Sequence, residues 1–118
     1  MATFFTYENM RKELRVKSNE DFQKIITCGK CKTSRSFVMY YYPAEQEHDR
    51  IGISVGKKIG NAVIRNKVKR QVRMMIQQLC SFKTGYDYIF IVRAKYLQSD
   101  YQNNKKDLSR LYNSVYNR

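Results

Sequence analysis

Apolar and polar positions follow two rhythms along this chain. Between residues 61 and 80, Ile64, Val68, Val72, Met75, Ile76 and Leu79 recur at three- and four-residue spacing. That spacing puts them on one stripe of a helix and turns Arg65, Lys67, Lys69, Arg70 and Arg73 to the other side. An earlier helix starts at Ser18, where the serine can cap and Glu20 and Asp21 suit the first turn. Phe22, Ile25 and Ile26 give it an apolar face, and Gly29 stops it at the position where a left-handed residue commonly ends a helix. A last amphipathic helix opens with a capping-box pattern at Ser99 and carries Tyr101, Lys105, Leu108, Leu111, Tyr112 and Val115.

A period of two marks the strands. In residues 36–42, Phe37, Met39 and Tyr41 share one face and Val38, Tyr40 and Tyr42 the other. Both faces are apolar or aromatic, so neither is plainly solvent, and Pro43 ends the run. Ile51, Ile53 and Val55 alternate with Gly52 and Ser54 in a second strand, and residues 88–92 form a continuous apolar run, as in a central strand. Residues 45–49, with Glu45, Glu47, His48 and Asp49, read as a solvated hairpin connection, and residues 81–85 as a turn. The order of helix, strands, helix, strand, helix predicts an α/β sandwich with helices packed on a small sheet. By default the strand–helix–strand unit over residues 51–92 would be right-handed. Residues 1–17, with Arg11, Lys12, Arg15 and Lys17, read as a basic, partly ordered arm. Residues 18–118 then form a single domain.

Charge changes the picture. The chain has 118 residues, a net charge of +13 and no acidic residue between Arg50 and Tyr86, although 10 acids sit elsewhere. Surface helices ordinarily mix signs, because like charges four residues apart repel. Here Arg65–Lys69 and Lys69–Arg73 are like pairs without an acid to relieve them, and cations near a helix N-terminus oppose the macrodipole. These local costs point to a face that binds a polyanion. The preceding turn sharpens the reading. Gly60 permits close backbone approach, Asn61 is a candidate N-cap, and Lys57 and Lys58 add charge beside the outward-facing first N–H groups of the helix. Together they make a phosphate-binding corner that lacks the P-loop spacing.

Other chemistries find little support. No apolar run approaches the ~18 residues of a membrane span, and the N-terminus lacks a signal-peptide core, so the expected location is cytoplasmic. Cys28 and Cys31 form a C-x-x-C, but Cys80 and His48 are too far apart in sequence to complete a paired zinc site. Reduced structural thiols and no metal are the expectation. With a single histidine, and no two acids placed to face each other, no catalytic residues are assigned. Aromatic residues beside a positive groove do suit single-stranded nucleic acid. Phe22 and Ile26 lie one turn apart and Val38 and Tyr40 share a strand face, so together they could floor a cleft for bases; plain core packing is the other reading.

The run Lys57-Lys58-Ile59-Gly60-Asn61-Ala62-Val63-Ile64-Arg65-Asn66-Lys67-Val68-Lys69-Arg70 resembles the signature of the protein subunit of bacterial ribonuclease P. Leu14-Arg15-Val16-Lys17, Asp21-Phe22-Gln23-Lys24, Arg50 to Val55, and Tyr86-Asp87-Tyr88 with Ile91 and Arg93 resemble its other blocks in the same order. Lys67 stands where the family usually has arginine, keeping charge without the planar fork. Gly56 replaces a common serine, and Ile26 a frequent aromatic. The resemblance implies a four-stranded α+β two-layer sandwich in the order α-β-β-β-α-β-α with a left-handed crossover. It also implies a catalytic RNA subunit that uses Mg²⁺ to remove the 5′ leader of precursor tRNA. By the same resemblance Lys57, Lys58, Asn61, Arg65, Asn66, Lys67, Lys69, Arg70 and Arg73 face that RNA, and Phe22, Ile26, Val38 and Tyr40 line the leader cleft. A structural or ribosomal RNA-binding protein is the main rival. A DNA-binding regulator would need a short helix and tight turn before its recognition helix, and here a strand precedes it. A membrane-surface helix would need an exposed apolar stripe, which the core requires here.

Overall fold

The computed structural model describes residues 14–16 and 18–116. Its elements are α1 (Asn19–Cys28), β1 (Lys30–Thr33), β2 (Phe37–Pro43), β3 (Ile51–Ser54), α2 (Ala62–Leu79), β4 (Tyr86–Val92) and α3 (Tyr101–Tyr116), with 3₁₀ turns at Lys57–Ile59 and Ala94–Gln98. The strands form one mixed sheet in the order β1-β2-β4-β3. β1 pairs antiparallel with β2, and β2 with β4. β3 and β4 are parallel, with α2 carrying the chain between them.

The period-two pattern of β2 divides the core. Phe37, Met39 and Tyr41 are buried with Tyr88, Phe90 and Val92 of β4 against Val68, Val72, Met75 and Ile76 of α2 and Leu108, Leu111, Tyr112 and Val115 of α3. A fully buried aliphatic side chain contributes about 1.5–3 kcal/mol, so this cluster dominates the stability of the fold. Among the described residues the opposite face carries α1 and the segment at Val16. There Ile25, Ile89 and Val16 are buried, with Phe22, Ile26, Tyr40, Tyr42 and Ile91 packed half-buried around them. The four-stranded α+β architecture is therefore as expected, with α2 and α3 on one face and α1 on the other.

Several local expectations are corrected. β1 has no hydrophobic alternation because Lys30, Cys31 and Thr33 are exposed on an edge strand. α1 ends at Gly29 in an extended conformation (φ −80°, ψ 169°). Glycine is required there because a Cβ would come within 2.4 Å of the Ile25 carbonyl oxygen. Ser99 closes the preceding turn through its N–H to the Tyr96 carbonyl, so Asp100 caps α3 by accepting the Asn103 N–H at 2.8 Å. Asp49, read as part of a solvated loop, is 1% exposed. Its carboxylate accepts the backbone N–H groups of Thr84, Gly85 and Tyr86 and the Thr84 hydroxyl, and so shapes the turn into β4.

Of the N-terminal segment, Arg15 forms a parallel bridge with Ile51, and Val16, 9% exposed, donates its N–H to the Ile51 carbonyl. Arg11, Lys12 and Lys17 lie outside the described residues.

Candidate nucleic-acid interface

The basic turn is anchored from below. Ile59 is buried, which holds the Lys57–Ile59 turn against the core while Lys57 and Lys58 stay exposed. Gly60 follows at φ 157°, where a side chain would be strained and would press on Ile64. Asn61 then caps α2, its side-chain oxygen accepting the Ile64 N–H at 3.0 Å. Arg65 reaches back from the first turn and donates Nε–H to the Gly60 carbonyl at 3.1 Å. That bond fixes a guanidinium beside the helix N-terminus, where unpaired N–H groups and the macrodipole already favour an anion.

Further along α2, burial of Val68, Val72, Met75 and Ile76 turns the cations outward. Asn66, Lys67 and Arg70 are exposed, and Arg65, Lys69 and Arg73 are half-buried. Ile64, expected on the buried stripe, is 38% exposed, because the helix begins beyond the edge of the core. The ion pairs Lys24–Glu45, Arg50–Asp21 and Arg50–Asp87 lie around α1 and its contacts with the sheet and the 45–50 loop.

The second surface is the sheet face beneath and beside α1. In one row across the strands Cys31, Tyr40, Ile89 and Gly52 are register partners, and in the next Thr33, Val38, Ile91 and Ser54. Phe22 lies over the first row at Gly52, where an added Cβ would sit 2.8 Å from its ring. Phe22, Ile26 and Tyr40 meet in one cluster. Val38 stands apart in the second row, half-buried beside half-buried Ile91 and Ser54 and exposed Thr33. Among the described residues this second row forms a half-buried floor next to the α1 cluster, and its β3 end at Ser54 lies three residues before Lys57. The two surfaces are thus joined through residues 54–57.

Residues that spacing did not single out complete this side. Arg50 donates to Asp21 of α1 at 3.0 Å and to Asp87 of β4 at 2.8 Å. The hydrogen bond to Asp87, opposed by desolvation, raises its pKa further. Arg50 therefore ties α1 to the sheet. Lys24 is bonded to Glu45 at 2.6 Å and lies over the Tyr42 ring, 5.6 Å from its centroid. Such pairings across loops leave no periodic trace; the only hint was the lone arginine entering β3.

The side chains of these two surfaces are cationic, apolar and aromatic, which suits binding a polyanion and its bases. Among the described residues no three His, Cys, Asp or Glu side chains group as metal ligands. Cys28 and Cys31 are exposed, and burial pushes the Cys80 thiol well above its ordinary range. The buried carboxylates are committed to structural hydrogen bonds: Asp49 to the turn before β4, Asp87 to Arg50 and Gln46, and Asp107 to Ser34 and Ser36. No described helix is long and apolar enough to cross a membrane.

The chain is similar to known proteins over most of its length. A sequence model of the ribonuclease P family matches residues 10–116. A ribonuclease P protein component of Streptococcus agalactiae is 46% identical over 99 residues, 84% of this chain and 91% of the relative. That of Mesoplasma florum is 41% identical over 104 residues, covering 86% and 94%. The structure of the Staphylococcus aureus RNase P protein superposes with a TM-score of 0.80 at 36% identity, covering 86% of this chain and 94% of that one. The Thermotoga maritima RNase P protein gives 0.72 at 28% identity, covering 82% and 93%.

Proposed function

The chain belongs to the ribonuclease P protein family, and from that premise we propose how its surface is divided. It is the protein component of a ribonucleoprotein endoribonuclease and partners the ribonuclease P RNA. The α2 face and the Lys57–Ile59 turn dock on that RNA through phosphates. The floor beside α1 takes the single-stranded 5′ leader of precursor tRNA. Tyr40 supplies a stacking face there, Phe22 and Ile26 form the wall, and Val38 with Ile91 forms the apolar base. The observation that carries this reading is the half-buried row Val38–Ile91–Ser54 running beside α1 to the basic turn. A single strand lying on it leads its backbone toward Lys57 and Lys58.

The RNA subunit is the proposed site of bond cleavage and of Mg²⁺. Hard cations such as Mg²⁺ are commonly held by phosphate oxygens, which supports placing the ion on the RNA. Cations on α2 offset phosphate repulsion between the two RNAs, which lowers the Mg²⁺ needed to bring them together. The proposed location is cytoplasmic.

Adding the purified protein to the ribonuclease P RNA from the same genome at low Mg²⁺ tests this. Cleavage at the 5′ end of precursor tRNA should appear with both components and with neither alone. A protein that binds the RNA without restoring cleavage would instead match a purely structural RNA-binding role.

A further inference from the structure

Large apolar side chains are exposed within the basic face itself. Val63 is 77% exposed, Ile64 38% and Leu97 49%. Ile64 of α2 and Leu97 of the Ala94–Gln98 turn both line a groove of about 410 Å³. Val68 and the ring of Tyr101 also line it, with Gln71 and Asp100 as polar groups. Gln71 accepts the Tyr96 hydroxyl at 2.8 Å, which fixes its side chain at the groove.

The rim of this groove carries more cations than anions. Lys67 lines it directly beside one carboxylate, Asp100, and exposed Lys95 stands on the turn that forms one wall. That turn also packs against the Lys57–Ile59 turn, which adds Lys57 and Lys58 nearby. An apolar slot with polar side groups, set among lysines, matches a nucleotide whose base enters while its phosphates stay on the rim. A second copy of the chain would bring its own lysines against these, at a net charge of +13 per chain.

We propose that the groove between α2 and the Ala94–Gln98 turn holds one unstacked nucleobase of the RNA that the basic face binds. The inference rests on the proposed docking of α2 and adds to it a contact with a base. Ile64 and Leu97 pack against the ring, Gln71 and Asp100 face its polar edge, and Lys67 meets a flanking phosphate. The base contact is separate from the leader floor, which lies on the opposite face of the sheet.

Leu97→Ser removes an exposed apolar wall without touching a charge, and circular dichroism should show it folded. Its affinity for the ribonuclease P RNA from the same genome is then measured across ionic strengths beside wild type, Arg70→Ala and Lys67→Ala. Loss of one buried aliphatic contact to a base should weaken Leu97→Ser about tenfold and leave the slope of log affinity against log salt unchanged. Arg70→Ala and Lys67→Ala should weaken binding and lower that slope. A benzophenone amino acid at position 97 should crosslink to the base of a single nucleotide. Wild-type affinity for Leu97→Ser, while Arg70→Ala is weakened, would overturn the base contact and leave α2 docking intact. Wild-type protein that does not bind the RNA would overturn both. A protein dimer broken by Leu97→Ser would assign the groove to a second copy and also overturn the proposal.

Discussion

Asp49 shows how a single side chain can govern a turn without any mark in the sequence. It stands in an acidic loop and is nevertheless buried, accepting three backbone N–H groups and a hydroxyl from residues 84–86. Its carboxylate replaces the water those groups would otherwise bind. Asp49→Ala would hand these part-buried groups to water and lose hydrogen bonds to a charged acceptor. A loss of about 1.5–3 kcal/mol in urea unfolding is expected, with Asp49→Asn milder because it keeps an acceptor. An Asp49→Ala protein of wild-type stability would contradict this role. Glu45, Glu47 and Asp49 looked equivalent because loop residues lack the periodicity that separates inside from outside on helices and strands. Tyr40 was legible to a greater degree. Its strand face followed from alternation, whereas its contact with Phe22 and Ile26 depends on how α1 crosses the sheet, which no local pattern encodes.

Among the elements, α2 was the most legible. Its apolar stripe fixed the buried side and its unrelieved cations marked the outer one, and both follow from helical spacing alone. Only Ile64 departed, because the first turn overhangs the core. β1 was the least legible, since an exposed edge strand of polar residues has no pattern to show. The outward cations of α2 give a measurable consequence. Arg70 is exposed, so Arg70→Ala should keep the melting temperature within a few degrees. It should lower the salt slope of RNA binding by about one, as expected for loss of one phosphate contact. A variant with the wild-type slope would place Arg70 away from phosphate. α1 is held differently, through Arg50 between Asp21 and Asp87. Arg50→Met leaves buried Asp87 with the Gln46 amide and the residue-50 N–H but no opposite charge, and should cost about 1.5–3 kcal/mol, read by urea unfolding. A stability equal to wild type would show that other contacts hold α1.

At the scale of the molecule, the larger core contains several acids that burial keeps neutral. Tyr88, Tyr96 and Tyr112 are almost fully buried, and desolvation raises their phenol pKa values above the ordinary 10, as it does the Cys80 thiol. Because the folded pKa is raised, the unfolded chain ionises first. The stabilisation is complete below the unfolded pKa, about 10 for the phenols and about 8.5 for the thiol, and is lost as pH rises beyond it, at up to about 1.4 kcal/mol per pH unit for each group. Unfolding by urea should therefore become easier between pH 9 and 11, and less steeply so in Tyr88→Phe. An identical pH dependence in that variant would contradict the assignment. The same sheet that encloses these groups separates two surfaces, with the basic helix packed on one face and the floor beside α1 on the other. Independence of those surfaces is the central claim, and Tyr40→Ala tests it most directly. Holoenzymes assembled with wild-type and Tyr40→Ala protein are compared for affinity toward precursor tRNA and mature tRNA. Tyr40→Ala, shown by circular dichroism to be folded, should assemble normally with the RNA subunit and bind mature tRNA as wild type does. It should lose about 1–3 kcal/mol of affinity for precursor tRNA alone. An unchanged ratio of the two affinities would contradict the leader floor.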